Sequence, residues 1–265
     1  MNARTGGIGM TIDSAQTPLI VQVKNDVATL TLNRPRYKNA VNFELLSLLD
    51  ETLDRLTAEP PRIIVLRGAA PGFCSGIDLK ESRETNQEFA RRRVSLMHRV
   101  LRKLRLVPAP LIVACDGVTA GLGTELLISG DLRFATRDSR MSYPEPRVAV
   151  PSPAHRLVWL IGLTKAQDML LTARWVDADE GERIGLITRV VDDLDTTVNE
   201  TIEQLRGLSP LALAQTKENL WVSVQAGAEG ASMHHIAAVT LSATTADRRE
   251  ALSAFAEKRT PKYPA

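Results

Sequence analysis

Hydrophobic and polar positions change their period several times along the chain. Leu19 to Val23 and Val27 to Leu32 are strand-like runs, and Asn25-Asp26 between them signals a hairpin turn. Asn42 is placed to cap a helix whose apolar stripe is Leu45, Leu49, Leu53 and Leu56. Pro60-Pro61 stops that helix. Ile63 to Leu66 is continuously apolar, as in a strand buried on both faces. A loop containing Gly68, Pro71, Gly72 and Gly76 follows. Residues 84–106 carry no Gly or Pro and read as one long helix, ended by Pro108 and Pro110. Leu111 to Cys115 is a second buried strand. A glycine-rich stretch, a short helix and a strand over Asp131 to Ala135 come next. Beyond residue 152 the strand signals almost vanish. Ser152-Pro153 opens a helix, and helical runs follow near 164–173, 177–184, 194–206, 210–226, 227–245 and 248–257. The pattern predicts an α/β core over 18–200, a disordered lead-in over 1–17, and a helical region over 201–265 that packs on the core or on a neighbouring subunit.

Composition narrows the class. The chain has 265 residues, 44% of them apolar, enough for one large domain with a sizeable core. A formal charge of +2 argues against nucleic acid or an anionic membrane as the main partner. Cys74 and Cys115 form no spacing pattern and fit a reducing compartment. The N-terminal residues lack the basic and apolar regions of a secretory signal, and no apolar run is long enough for a bilayer. A cytoplasmic protein is expected. The run Arg91-Arg92-Arg93, with Arg99, Arg102, Lys103 and Arg105, follows Glu81, Glu84 and Glu88 and reads as a solvated helix face.

Three stretches carry candidate chemistry. "GVTAGLGTELLISGD", residues 117–131, places glycines between a strand and a helix start, where free amides collect. The dinucleotide pattern G-x-G-x-x-G fails at Leu126. An acid, Glu145, stands at the distance that pattern wants, but between two prolines. There is no phosphate loop of the G-x-x-x-x-G-K-[ST] type. "PGFCSGIDLKE", residues 71–81, turns at Gly76 and leaves the Ile77 amide free to face a cleft. Cys74 has no activating His nearby in sequence and reads as an inert packed thiol. "YPEPRVAVPSPAH", residues 143–155, holds Glu145 in a stiff segment, and His155 reads as an ordinary helix residue. Together these stretches offer two amides, Ile77 and Leu122, and two acids, Glu125 and Glu145. Paired amides stabilise an oxygen that gains negative charge. Paired glutamates perform acid–base work when burial moves their pKa values toward neutrality.

"TLNRPRYKNAVN", "FCSGIDLKE", "GVTAGLGTELLISGDLRFA", "YPEPRVAV" and, near the end, "ADRREALSAFAEKR" together resemble the enoyl-CoA hydratase/isomerase, or crotonase, family, over roughly residues 18–260. The resemblance implies repeated ββα units in two roughly perpendicular sheets. It also implies a helical C-terminal region that mediates trimers, often paired into hexamers. It places the oxyanion hole at the amides of Ile77 and Leu122, with the Leu122 side chain narrowing the space. Glu125 and Glu145 would hold one water between them, Glu145 donating a proton to Cα and Glu125 helping to activate the water. Coenzyme A would lie along Cys74, Ser75, Gly76, Asp78, Leu79, Lys80 and Gly121, with Phe255 and Lys258 near its adenosine phosphates. The implied substrate is an acyl-CoA thioester, with no cofactor besides the coenzyme A it carries and no metal.

The chain departs from that family in one place. Hydratases usually follow the second glutamate with a glycine-rich stretch resembling I-P-G-x-G-G-T, and here the text is "AVPSPAHRL". This changes the wall beside Glu145. Dienoyl isomerase relatives use a further acid there, whereas residues 146–162 contain none. Simple Δ3–Δ2 isomerases commonly lose the first glutamate, and this chain keeps both. The expected activity is hydration of a 2-enoyl-CoA. An isomerase, another CoA-thioester enzyme or a catalytically weak acyl-CoA-binding protein are the alternatives.

Overall fold

The structure is a computed structural model that describes residues 17–83, 86–154 and 156–263. Its strands are β1 (Leu19–Lys24), β2 (Val27–Leu32), β3 (Ile63–Gly68), β4 (Leu111–Cys115), β5 (Val118–Ala120), β6 (Leu132–Thr136), β7 (Arg140–Ser142), β8 (Val176–Asp177) and β9 (Arg189–Val191). The helices are α1 (Phe43–Ala58), α2 (Leu79–Arg83), α3 (Gln87–Leu106), α4 (Leu122–Leu127), α5 (Leu157–Thr172), α6 (Ala178–Ile184), α7 (Leu194–Arg206), α8 (Pro210–Ser242) and α9 (Ala246–Ala256). The lead-in expected over 1–17 falls outside the described residues except for Thr17, and His155 also lies outside them.

Two sheets result. The larger runs β1-β2-β3-β4-β6-β9 and the smaller β5-β7-β8. β1 and β2 pair antiparallel through Asn25-Asp26, both left-handed at φ 49° and 60°, the geometry of a two-residue hairpin turn. Every other neighbouring pair in the large sheet is parallel. The apolar runs of β3 and β4 are explained by cover on both faces. Ile64 and Leu66 pack with α1 and α3 (Leu45, Leu49, Leu53, Val100, Leu104). Ile63, Val65 and Ile112 pack with α7 through Val198 and Ile202. Capping follows the sequence: the Asn42 side chain accepts from Leu45 N at 3.0 Å to start α1.

The sequence pattern misses β5, β7, β8 and β9. Each has only two or three residues, too few to show a period of two. In the tail, the expected break between 210–226 and 227–245 is present: α8 leaves helical geometry at Gly227, φ 72°. α7 crosses the expected boundary at residue 200 and packs on the large sheet. Lys217 Nζ lies 2.7 Å from Asp131 and fastens α8 to the core. Among the described residues, no helix is long and apolar enough to cross a membrane.

Candidate active site

In open parallel sheets, ligands sit beyond the carboxyl ends of the strands. The residues after β3 and those of the β5–α4 turn meet there. Residues 74–77 run beside β5: Ala120 N donates to Cys74 O at 3.1 Å, and Cys74 N to Val118 O at 3.4 Å. On the other side, Val41 N donates to Gly76 O at 2.7 Å and Asp78 N to Val41 O at 2.9 Å. This pairing consumes Gly76 O and Asp78 N and leaves the Ile77 N–H on the opposite edge. Gly76 has φ 97°, and a Cβ there would stand 2.7 Å from Ala120 O and 3.7 Å from Leu122 N. Only glycine lets the two segments lie this close.

Leu122 is the first residue of α4, so its N–H has no acceptor within the helix. Gly121, with φ 52° and ψ −119°, turns the chain into that helix, and its own N–H donates to Ser142 O at 2.9 Å. A Cβ on Gly121 would stand 2.7 Å from Glu145 Oε1. The Ile77 and Leu122 amides and the Glu145 carboxyl therefore converge around Gly121. The Leu122 side chain is buried in the main core.

The two glutamates live in different surroundings. Glu125 is 2% exposed. Its Oε1 accepts from the Tyr143 hydroxyl at 2.7 Å. Its Oε2 accepts from the Arg156 guanidinium in a buried ion pair. Arg156 also donates to Ser129 Oγ at 2.9 Å and reaches the Glu125 carbonyl at 3.4 Å. Burial, then the charge of Glu125, pushes the Tyr143 phenol well above its ordinary value, so it stays a donor. A buried carboxylate needs such partners to offset its lost hydration. Glu145 starts a short 3-10 turn over Glu145–Val148. Its Oε2 is enclosed and meets no hydrogen-bond partner among the described residues. Burial raises the Glu145 carboxyl above the usual range; its own backbone N–H pulls it back, and the Glu125 charge pushes it up again. The two glutamates expected to act in different roles also differ in their surroundings: Glu125 is clamped by a phenol and a guanidinium, and Glu145 has an enclosed oxygen with no partner among the described residues.

The remaining sequence candidates divide. Cys74 is fully buried, donates to Asn39 O at 3.2 Å and is pushed by burial up to about 12. Its side chain cannot face a ligand, which limits the coenzyme A assignment to its backbone. Asp78 is bound to Arg34 at 3.0 Å and accepts from Lys80 N at 3.0 Å, so its carboxylate braces the loop. Ser75 Oγ donates to Tyr37 O at 3.3 Å. Leu79 is exposed, and the Lys80 ammonium stands 5.7 Å from the Tyr37 ring. Phe255 and Lys258 are exposed on and just after α9. The anchors of α9 run to α8, where Ser209 bonds Asp247, rather than to residues 74–80.

Tyr143 and Arg156 are the residues that sequence reasoning missed. Both lie within or beside stretches already singled out, and the signal was a glutamate in a largely apolar helix start, LGTELL, that needed a cation once buried. The basic helix α3 is also less solvated than expected. Arg93 is 8% exposed, while Arg99 and Lys103 grip Asp50 at 2.8 and 2.6 Å. Burial opposes ionisation of Asp50, yet those bonds hold its carboxyl below the usual range. A cavity of about 400 Å³ opens elsewhere, beside Arg67, Asp116 and Asp195, and none of the candidate residues line it.

A family model described as enoyl-CoA hydratase/isomerase matches residues 22–265. The short-chain-enoyl-CoA hydratase of Clostridium acetobutylicum is 30% identical, over 91% of this chain and 95% of its own. The mitochondrial methylglutaconyl-CoA hydratase of Mus musculus is also 30% identical, over 96% of this chain and 84% of its own. The crystal structure of enoyl-CoA hydratase from Bacillus anthracis superposes with a TM-score of 0.89 at 31% identity, covering 93% of this chain and 98% of the other. With its two sheets, helical C-terminal region and converging amides, this chain has the crotonase fold and belongs to the enoyl-CoA hydratase/isomerase family.

Proposed function

We propose that the protein adds water to a 2-enoyl-CoA thioester, giving the 3-hydroxyacyl-CoA. One observation carries the reading: two amides that have no helix or bridge partner among the described residues converge with an enclosed glutamic acid oxygen that also has none there. The amides of Ile77 and Leu122 hold the thioester oxygen as it gains charge. Water oxygen bonds to Cβ, the π pair moves to Cα, Glu145 delivers a proton to Cα, and the proton that the water sheds passes to the Glu145 carboxylate and restores the acid. Glu145 suits this because burial raises its carboxyl above the usual range, which favours the proton-carrying form. Gly76, Leu79, Lys80 and Gly121 line the coenzyme A side, with Phe255 and Lys258 supplied by a neighbouring subunit. The exposed apolar residues of α8, among them Leu220, Met233 and Ile236, support a trimer. Two buried free thiols suit the reducing cytoplasm. The coenzyme A belongs to the substrate, and this chemistry asks for no other cofactor.

The test is loss of the 2-enoyl absorbance of crotonyl-CoA and longer homologues, with product identified by mass. No hydration at any chain length, despite binding, sinks the reading. A second reading, Δ3–Δ2 isomerisation, is favoured by the clamping of Glu125, which leaves one open carboxyl to move a proton between carbons. Faster conversion of 3-enoyl-CoA than of crotonyl-CoA would select it. Light scattering of the intact protein checks the trimer.

A further inference from the structure

We propose that Arg105 receives a carboxylate at the far end of the acyl group, so that the preferred substrates are 2-enoyl-CoA thioesters of short dicarboxylic acids. This inference rests on the hydratase reading above and names the substrate class of that same site. The observation behind it is a group of cations short of anions. Arg105 stands in the last turn of α3, half-buried, with its guanidinium 4.8 Å from the centre of the Trp221 ring of α8. Its Nε is enclosed and meets no hydrogen-bond partner among the described residues. Burial, then the like charges of Arg156 and Arg102, press this guanidinium below its ordinary value, and no carboxylate offsets them. The negative end of α3 favours a cation there but gives Nε no acceptor. Arg156 repeats the pattern. It is 4% exposed, its two Nη atoms are taken by Glu125 and Ser129, and its Nε has no partner among the described residues. A buried cation without an opposite charge is costly, and an arginine fork matches a carboxylate.

The cluster lies at the far end of α4 from the oxyanion amides. Arg156 joins Glu125 to Ser129, just past that helix. Lys217 of α8 holds Asp131 at 2.7 Å and donates to Ala109 O at 3.1 Å, so the ends of α4 and α3 meet against α8. Trp221 stands one turn further along α8. The Leu122 amide opens α4 at its other end. From Leu122 to Ser129 a helix rises about 10 Å. An extended acyl chain advances about 1.2 Å per bond, so roughly five to eight carbons, hydrogen-bonded at both ends, cover that span. Glu125 falls between, beside Cβ. A chain ending in a methyl group would leave the Arg105 Nε unanswered.

The test compares acyl groups of equal length. Glutaconyl-, 2-hexenedioyl- and 2-octenedioyl-CoA are set against 2-pentenoyl-, 2-hexenoyl- and 2-octenoyl-CoA, with hydration followed as loss of the 2-enoyl absorbance. At one length or more, the dicarboxylic thioester should show a kcat/KM at least about tenfold higher, and its monomethyl ester should lose that advantage. R105M should lower kcat/KM for the dicarboxylic thioester by about 10- to 100-fold, mainly through KM, and for the monocarboxylic one by less than about threefold. R105K, which keeps the charge but not the fork, should fall between. Thermal melts accompany each variant, and where R105M fails to fold, R105K and the acid-against-ester comparison in wild type carry the test. A merely structural Arg105 would lower both substrate classes together. That result overturns the inference, as does a wild-type preference for monocarboxylic chains at every length, or equal rates for acid and methyl ester. If wild type hydrates no thioester, the hydratase reading fails separately. Calorimetric binding of glutaryl-, adipyl- and suberyl-CoA against pentanoyl-, hexanoyl- and octanoyl-CoA then decides. The inference stands if a dicarboxylic thioester binds at least about tenfold tighter and R105M removes the difference, and falls otherwise.

Discussion

Glu125 and Glu145 are the same residue type, twenty positions apart, brought into electrostatic contact by the fold. The first sits in a six-residue helix with every residue buried, and a phenol and a guanidinium hold it. The second sits on a short turn whose other residues are exposed, with one oxygen enclosed and without a partner among the described residues. The difference teaches that neighbours assign the role. A carboxyl given a cation becomes a fixed charge, and one given burial without a cation becomes an acid.

The comparison breaks most sharply at Glu145. E145Q should lower the hydration rate by about 10³- to 10⁴-fold, measured as kcat, with little change in thioester binding. A loss under tenfold would place the acid elsewhere. Next comes the cation. R156M leaves Glu125 buried without its counter-charge and should cost about 3–5 kcal/mol in denaturant unfolding. An unchanged midpoint would mean that the pair is not buried in solution. G121A then tests the turn between the two acids. Its φ of 52° and a Cβ 2.7 Å from Glu145 Oε1 should cost about 1–3 kcal/mol of stability, and displacement of Glu145 should lower kcat further. Y143F removes one hydrogen bond to a charged group and should cost about 1.5–3 kcal/mol, read by urea titration. The smallest effect concerns pH. A carboxyl raised in the folded state favours folding below its unfolded value and loses that contribution as pH rises through its folded one. Activity should fall over the same upper window, since the acid form donates. E145Q should flatten the pH dependence of stability by less than about 1 kcal/mol, because solvent still screens part of this group.

Much of this is legible in the sequence alone. Alternation gave β1 and β2, continuous apolar runs gave β3 and β4, and Asn42 marked the start of α1. The glycines at 76 and 121 pointed to the turns that present Ile77 and Leu122, because positive φ and close backbone approach are local demands that sequence can display. The clamp was hidden for the opposite reason. Arg156 and Glu125 are 31 positions apart, and nothing local in "PAHRL" says that its arginine will be buried. Tyr143 stands beside a proline, and nothing in its neighbours in sequence says that its hydroxyl will meet a buried carboxylate. Short strands such as β7 and β8 escaped because their pairing comes from neighbours, and two or three residues carry no period. Burial of Arg93 within a basic run was likewise a tertiary fact.

The clamp has one more consequence, for how the enzyme can change. Tyr143 and Arg156 pin the two ends of the intervening chain to the same carboxylate. Residues 146–151 between them are mostly exposed. A span fastened at both ends tolerates new text in its middle. Residues 146–154 thus form a cassette in which substitutions should leave the Tyr143 and Arg156 contacts to Glu125 in register.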